Sequence, residues 1–250
     1  MQRSWMASLG VVALTCGAGC GATIPGFDDG GTSLPDTGAG DVATIPDDGG
    51  IGFGDATPID AGPPDAKPTA VNLIPNGDFS LGNTLFGSDY AYAVINATEG
   101  QYTVGTDPNA FNTSLVSVGD HTTGKGLMFI GNGKSSPDRV WYTSNITVSP
   151  NTTYYFEAWI LNGCCRPGTG YGDGVHPVGP SILSFYINGE LLGTRTSSLL
   201  GQWEGMSTTW NSGSTTTVTL QLVNANTVAD GNDFAVDDVY LGTVSTVLPN

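Results

Sequence analysis

The chain is poor in positive charge. Its 250 residues include seven Lys and Arg against 23 Asp and Glu, which gives a formal net charge of −16. Proteins that bind a nucleic-acid backbone depend on Lys and Arg contacts with phosphates and carry these residues as a basic patch. The sequence has no such patch, so we exclude nucleic acid as a partner. Neutral ligands and divalent cations remain compatible with this charge.

Cysteine is scarce as well. Of the four cysteines, only Cys164 and Cys165 lie beyond residue 20, and they are adjacent in a Gly-rich loop at 162–179. Two neighbouring cysteines cannot build a disulfide framework. In an oxidising compartment they either form a vicinal disulfide or stay a free dithiol. His176 lies in the same loop, but adjacent thiolates do not match the ligand spacing of structural zinc.

Groups suited to catalysis are few. The chain has four Glu and two His, and one of these histidines, His121, lies in the segment GDHTTG (119–124) without a Ser or Cys nucleophile motif beside it. We interpret His121 as a solvated loop residue. Because no motif pairs a nucleophile or carboxylate with a second catalytic group, we expect that the protein is not an enzyme.

The apolar run near the N-terminus is too short to span a bilayer. It covers residues 5–14, follows Arg3 and is followed by small residues at 17–19. A transmembrane helix needs about 20 apolar residues, whereas a short run with a positive start and small residues after it is typical of a secretion signal. The pattern predicts that residues 1–19 are a signal peptide.

The segment ALTCGAGCG (13–21) resembles a bacterial lipoprotein signal, in which cleavage leaves an acylated cysteine at the new N-terminus. Cys20 matches that cysteine, and Gly17 stands three residues before it, where the family favours Leu. The resemblance implies lipidation of Cys20 and a membrane anchor, with the protein in the cell envelope, at the outer membrane or cell surface. The alternative is an ordinary signal peptide cleaved near Ala22.

Residues 20–70 have few of the aromatic and branched residues that build a core, and Phe27 and Phe53 are their only aromatic residues. They contain an imperfect repeat, ATIPGFDDGG (22–31) and ATIPDDGG (43–50), among Gly, Pro and Asp. Such a segment cannot bury enough apolar surface to offset its conformational entropy. We predict a disordered acidic linker that acts as a tether, with an r.m.s. span of roughly 40 Å for a coil of this length.

Residues 71–250 show strand patterns and no long helical periodicity. Short β-rich segments alternate with Gly, Asn, Pro and Ser, and Asn188-Gly189 is a strong hairpin signal. We predict one all-β domain, a sandwich of two packed antiparallel sheets, and expect a monomer. The predicted strands are 100–106, 114–118, 126–131, 139–148, 152–161, 181–189, 203–210, 215–224 and 233–241.

The last of these strands, DFAVDDVYL, changes its alternation. Phe234 and Val236 share one parity and Val239 and Leu241 the other, so the strand either changes face or contains a bulge. Asp237 and Asp238 lie at the switch. Two adjacent carboxylates in an apolar strand are costly to bury without a cation or several N–H donors, so they are either functional or turned outward at the bulge.

Four aromatic residues fall opposite the predicted core positions of three strands. We predict that they share one outer surface with Glu157 as a polar neighbour: Trp141, Tyr155, Trp159 and Tyr186. Aromatic rings suit pyranoses because C–H groups pack on the ring faces while side-chain oxygens bind the hydroxyls. The alternative for each aromatic residue is packing in the core or at its rim.

Six segments carry a resemblance that covers nearly all of residues 72–242. They are NLIPNGDFSLGN (72–83), GDHTTGKGLMFIGNG (119–133), VSPNTTYYFEAW (148–159), LSFYINGELLG (183–193), QWEGMSTTWNSG (202–213) and NDFAVDDVYL (232–241). Together they resemble the jelly-roll carbohydrate-binding modules of the broad galactose-binding-like group that includes families 4, 9 and 22. The fold also serves adhesins, surface proteins and enzyme appendages.

This resemblance implies a jelly roll and a structural calcium ion where the first and last strands meet. Asp78 and Asp237 are the matching acidic positions, Asp238 is adjacent, and Ser80 stands where many members have Glu. Calcium takes six to eight oxygen ligands. The alternative is that these aspartates are turn and bulge residues bonded to backbone N–H groups.

The sequence thus favours a secreted, lipid-anchored surface protein that binds a polysaccharide or cell-surface glycan without chemistry. Two other functions stay open at this point. One is a structural or adhesive surface domain without a sugar site, and the other is an accessory domain of a glycoside-hydrolase system.

Overall fold

The structure is a computed structural model that describes residues 69–171, 178–228 and 230–247. The chain divides into two units, Met1–Asp60 and Ala61–Asn250, and every described residue belongs to the second. The predicted signal peptide, Cys20 and the linker up to residue 68 lie outside the described residues, as does His176.

The described residues form ten strands and one short helix. The strands are β1 (Ala91–Tyr92), β2 (Gln101–Gly105), β3 (Met128–Gly131), β4 (Arg139–Thr147), β5 (Thr153–Asn162), β6 (Ser181–Ile187), β7 (Glu190–Ser197), β8 (Trp203–Asn211), β9 (Thr217–Asn224) and β10 (Phe234–Gly242), and the helix is α1 (Pro108–Phe111). Among these residues no helix has the length or apolarity needed to cross a membrane.

The strands make two sheets. One has six strands in the order β1-β2-β3-β10-β5-β8, and the other has four in the order β4-β9-β6-β7. All pairs are antiparallel except β1 with β2. The predicted all-β jelly-roll sandwich of two antiparallel sheets is confirmed. The hairpin at Asn188-Gly189 joins β6 to β7, with φ of 50° and 83° at its two residues.

The core lies between the sheets. On β5 it takes the residues of even number, and the inward face predicted for this strand is confirmed: Tyr154, Phe156, Ala158 and Ile160. Phe156 meets Phe185 of β6 from the opposite sheet, with ring centroids 5.1 Å apart and an edge-to-face angle of 67°. Each fully buried side chain of this size stabilises the fold by about 1.5–3 kcal/mol, so the sandwich is held mainly by these contacts.

A second apolar cluster lies on the outer side of the six-stranded sheet. Leu161, Met128, Ile130 and Ala235 belong to its strands, and they are covered by Phe111, Leu115 and Cys164. The predicted strand at 114–118 is wrong: this segment makes an isolated bridge from Leu115 to Cys164 and serves as a cover. We call this region the sealed end of the outer face.

Strand β10 contains the bulge that its alternation predicted. The register against β5 shifts between Asp237 and Tyr240, and Asp238 has a φ of 48°. The extra residue lets the apolar residues on both sides of it reach the core: Phe234, Val236, Val239 and Leu241. The segment that carries NGDF runs along β10, with Val239 N donating to Gly77 O at 2.8 Å. This meeting of the first and last segments positions the candidate site.

Candidate functional site

Trp141 is a core residue, so its prediction as a binding residue is wrong. It is 1% exposed and packs in the core between the sheets. Register shifts lie on both sides of it, and Asn145 has a φ of 61°. Because a bulge changes the face that following residues occupy, simple alternation along β4 placed Trp141 on the wrong face.

Tyr186 lies on the other side of the molecule from Trp159. Its neighbours Phe185 and Ile187 point into the core from the four-stranded sheet, so Tyr186 points outward from that sheet. Trp159 points outward from the six-stranded sheet. The prediction that the two share one surface is therefore wrong, because alternation shows the face of a strand and not the sheet to which the strand belongs.

Glu157 is on the predicted face but is unavailable to a ligand. It is 0% exposed. The hydroxyls of Ser207 and Ser245 donate to Oε1 at 2.6 Å each, while Thr246 donates to Oε2 from N at 2.8 Å and from Oγ1 at 2.7 Å. Its prediction as a sugar-binding residue is wrong, and its carboxylate instead holds residues 245–247 against the sheet. Tyr155 shares this face but does not line the cleft described below.

Trp159 is the predicted residue around which a site forms. It is half-buried, and His121 stacks on its ring with centroids 3.7 Å apart and an interplanar angle of 15°. His121 Nδ1 lies 2.7 Å from Asp238 Oδ2, and the His121 N–H donates to Asp237 Oδ2 at 2.9 Å. The interpretation of His121 as a solvated loop residue is wrong, because three neighbours hold its ring and backbone in place.

The loop that carries His121 is shaped by Asp120. Its carboxylate accepts from Thr123 N at 2.9 Å and from Gly126 N at 2.6 Å. Burial alone would raise the pKa of Asp120, but the hydrogen bonds from Thr123, Gly126 and Lys125 outweigh it and lower the pKa below its usual range. Trp203 Nε1 also donates to Gly119 O at 3.1 Å. The loop is therefore fixed at both ends over Trp159.

The carboxylates predicted to hold calcium lie beside this loop. Asp78 Oδ1 accepts from Ser80 N at 3.2 Å and from Ser80 Oγ at 2.9 Å, and Asp237 Oδ1 accepts from Asp238 N at 2.8 Å. Burial, with the charge of Asp238, raises the pKa of Asp237 to about 7. The described residues contain no group of three or more His, Cys, Asp and Glu placed for a metal ion. The calcium ion remains a prediction, and the hydrogen bonds fit the alternative of turn and bulge residues.

Trp159, His121 and several of their neighbours line a cleft of about 470 Å³, which we call the Trp159 cleft. The stacked His121 and Trp159 form its aromatic wall, and Asp78, Asp238 and Thr246 bring oxygen atoms to it. Trp159 of the predicted sugar site thus lies in one cleft with Asp78 and Asp238 of the predicted calcium site. His121 and Thr246 were missed because contacts across more than eighty residues bring them here, and no local pattern signals such contacts.

The two adjacent cysteines lie at the sealed end. The structure joins Cys164 and Cys165 in a disulfide across a cis peptide bond. Cys164 is 3% exposed. The pair lines a separate cleft of about 380 Å³ with Asn132 and Asp233.

No protein-family model matches the chain, and no curated protein matches it. Solved structures resemble the fold. The EclA C-terminal domain, a sugar-binding protein, is 12% identical with a TM-score of 0.32 over 41% of this chain and 66% of that one. A Stig cyclase from Fischerella sp. TAU is 13% identical with a TM-score of 0.44 over 69% and 97%. A family 16 carbohydrate-binding module is 16% identical with a TM-score of 0.40 over 68% and 99%.

Proposed function

We propose that this protein binds a saccharide in the Trp159 cleft and does not cleave it. The observation that carries the proposal is the wall formed by the stacked rings of His121 and Trp159 beside the oxygen atoms of Asp78, Asp238 and Thr246. A cleft of about 470 Å³ lies in the range typical of small-molecule sites, which is about 300–1,000 Å³.

The polar groups of the cleft suit hydroxyls. Asp78 and Asp238 each use one oxygen for the protein bonds described above, with Oδ1 of Asp78 held by Ser80 and Oδ2 of Asp238 held by His121. The bonds to each carboxylate from the described residues reach only that one oxygen, so Oδ2 of Asp78 and Oδ1 of Asp238 are acceptors open to a ligand. Sugar hydroxyls supply donors for such acceptors, and their C–H groups pack on aromatic rings.

Binding without cleavage is supported by the burial of Asp237, the carboxyl beside the cleft whose pKa is raised. A general acid needs a pKa near the working pH and must reach the substrate. Asp237 has a pKa raised to about 7, but it is 1% exposed and accepts backbone N–H bonds from His121 and Asp238. It therefore stabilises the loop under the cleft rather than meeting a ligand.

The direct test is a glycan array with the purified protein and two variants. Trp159→Ala should lower the affinity for the bound glycan by about tenfold or more, which corresponds to about 1.4 kcal/mol. Tyr186→Ala, an aromatic change on the opposite face, is the matched control and should bind as the wild type does. Binding by no glycan would overturn the proposal and favour a structural or adhesive domain. Release of reducing sugar from a bound glycan would favour an enzyme.

We also propose that the domain is displayed at a bacterial cell envelope by a lipid on Cys20 and the linker at 20–70. The lipoprotein-like segment ALTCGAGCG supports this proposal. The wild-type protein should appear in the membrane fraction and Cys20→Ser in the soluble fraction, with Cys16→Ser as the matched control that stays with the membrane. A soluble wild-type protein would contradict the lipid anchor.

A further inference from the structure

A second cleft of about 430 Å³ adjoins the Trp159 cleft. Trp159 and Thr246 line both clefts. The second cleft is also lined by residues that do not reach the first, among them Trp203, Arg195 and Glu204. Because Trp159 and Thr246 belong to the walls of both, the two clefts are adjacent.

The register of the sheet brings two indoles to this place. Trp159 of β5 pairs with Gly205 of β8, and Leu161 pairs with Trp203. Paired residues point to the same face, so Trp203 points outward beside Trp159 as its diagonal neighbour, about 7–8 Å away. Trp203 also lies at 72° to His121 with centroids 6.0 Å apart. His121 and Trp159 line the Trp159 cleft, Trp159 and Trp203 line the second cleft, and Trp159 is the aromatic residue common to both.

Gly205 creates the gap in which the second cleft lies. A Cβ atom at this position would lie 2.7 Å from Val247 Cγ1 and 3.4 Å from Trp159 Cη2. Val247 lines the same cleft and is held there by the bond from its N–H to Glu157 Oε2 at 3.3 Å. Any side chain at Gly205 would therefore press on Val247 and on the Trp159 ring.

The second cleft also has polar atoms without partners. Arg195 Nη2 donates to Glu204 Oε1 at 2.9 Å, which leaves Arg195 Nε and Glu204 Oε2 buried with no hydrogen-bond partner among the described residues. Unpaired buried polar atoms destabilise a fold. A hydroxyl both donates and accepts, so the hydroxyls of a sugar ring are complementary to this donor and acceptor pair.

We propose that the two clefts form one groove and that the ligand is a linear glycan with at least two adjacent sugar rings bound on the two sides of Trp159. This inference rests on the proposed function. The ring in the Trp159 cleft meets His121 and the carboxylates of Asp78 and Asp238. The neighbouring ring lies by Trp203, with its hydroxyls on Arg195 and Glu204.

The test is the dependence of affinity on chain length. The probes are neutral oligosaccharides of one to six rings from four series: β-1,4-glucan, β-1,4-xylan, β-1,4-mannan and α-1,4-glucan, titrated by calorimetry. In the series that binds, affinity should rise at least tenfold from one ring to three. Equal affinity for one ring and for three would overturn the inference and leave the proposed function standing. No binding in any of the four series would also overturn the inference, while the glycan array decides the proposed function.

Two variants locate the second ring. Arg195→Met should lower the affinity for a three-ring ligand at least fivefold and leave that for a single ring unchanged. Gly205→Ala, whose methyl group also contacts Trp159, should lower the three-ring affinity by more than the single-ring affinity. Arg166→Met is the matched control, because its guanidinium bonds to Thr113 O at the sealed end. Thermal unfolding of each variant checks that the domain is intact. If both variants keep the wild-type dependence on chain length, the second ring is not bound there and the inference is wrong.

Discussion

The two ends of the outer face of the six-stranded sheet differ, although one strand supplies both. Leu161 and Trp159 are two residues apart on β5 and point the same way, yet Leu161 is 0% exposed under the sealed end while Trp159 is half-buried in an open cleft. The difference comes from the segments that cover the two ends of β5. Phe111 and Leu115 bring apolar atoms to one end, and the His121 loop brings polar ones to the other. The comparison places a closed apolar cluster at one end of the face and the proposed binding cleft at the other.

The largest effect on this comparison is expected from a cavity at the sealed end, which should lower the stability of the fold. Leu115→Ala removes a side chain that is 0% exposed and should lower the free energy of unfolding by about 2–5 kcal/mol, because a cavity remains. Urea unfolding measures the change. Leu191→Ala, at a residue that is 53% exposed, is the control and should change stability by less than about 0.5 kcal/mol. Glycan binding by folded Leu115→Ala should be unchanged, and its loss would show that the two ends are coupled.

The second prediction concerns pH at the sealed end. Burial, together with the charges of Glu99 and Asp230, raises the pKa of Asp233 to about 7 from 3.8. A carboxyl with a raised pKa in the folded state stabilises the fold below its unfolded pKa, and this contribution is lost as pH rises through about 7. Stability should therefore fall by on the order of 3 kcal/mol between about pH 4 and pH 7 on account of this group.

Asp233→Asn checks the assignment. Asn keeps an acceptor for the bond from Gly133 N, which is 2.9 Å long, but it does not titrate. Urea unfolding at several pH values should show a flatter profile for this variant than for the wild type, and Asp230→Asn, at an exposed neighbour, should flatten it much less. An Asp233→Asn profile as steep as the wild type would place the titrating group elsewhere.

The third prediction concerns Glu157, which holds one side of the Trp159 cleft in place. Glu157→Gln replaces a buried acceptor of several hydrogen bonds with a group that presents N–H donors to Thr246 and Val247. We expect a loss of about 2 kcal/mol in stability together with weaker glycan binding, since Thr246 lines the cleft. Glu190→Gln, on an exposed position of β7, is the control. Full binding by Glu157→Gln would show that the position of Thr246 in the cleft does not depend on this carboxylate.

The smallest expected effect is that of calcium. Asp237 and Asp238 already accept from backbone and side-chain donors, so we expect the melting temperature to change by less than about 1 °C, or well under 0.5 kcal/mol, between calcium and chelator. Differential scanning calorimetry decides this. A rise of several degrees with calcium would support the metal ion that the family resemblance implies.

The sequence predicted those features that local alternation controls. The inward face of β5, the hairpin at Asn188-Gly189 and the bulge at Asp237 and Asp238 all follow from short patterns. The features that it missed depend on contacts between distant segments. Trp141 and Tyr186 were misplaced by a register shift and by sheet membership, while the burial of Glu157 under residues 245–247 and the stacking of His121 on Trp159 arise only when the sandwich closes.

The bulge in β10 has a consequence for insertion and deletion. Removing Asp238 alone would restore unbroken alternation and keep Phe234, Val236, Val239 and Leu241 on the core side. Such a one-residue deletion should fold, but it would take away the carboxylate that holds His121 and Thr122. One codon in the bulge therefore supplies a carboxylate of the cleft without any change in the core residues on either side of it.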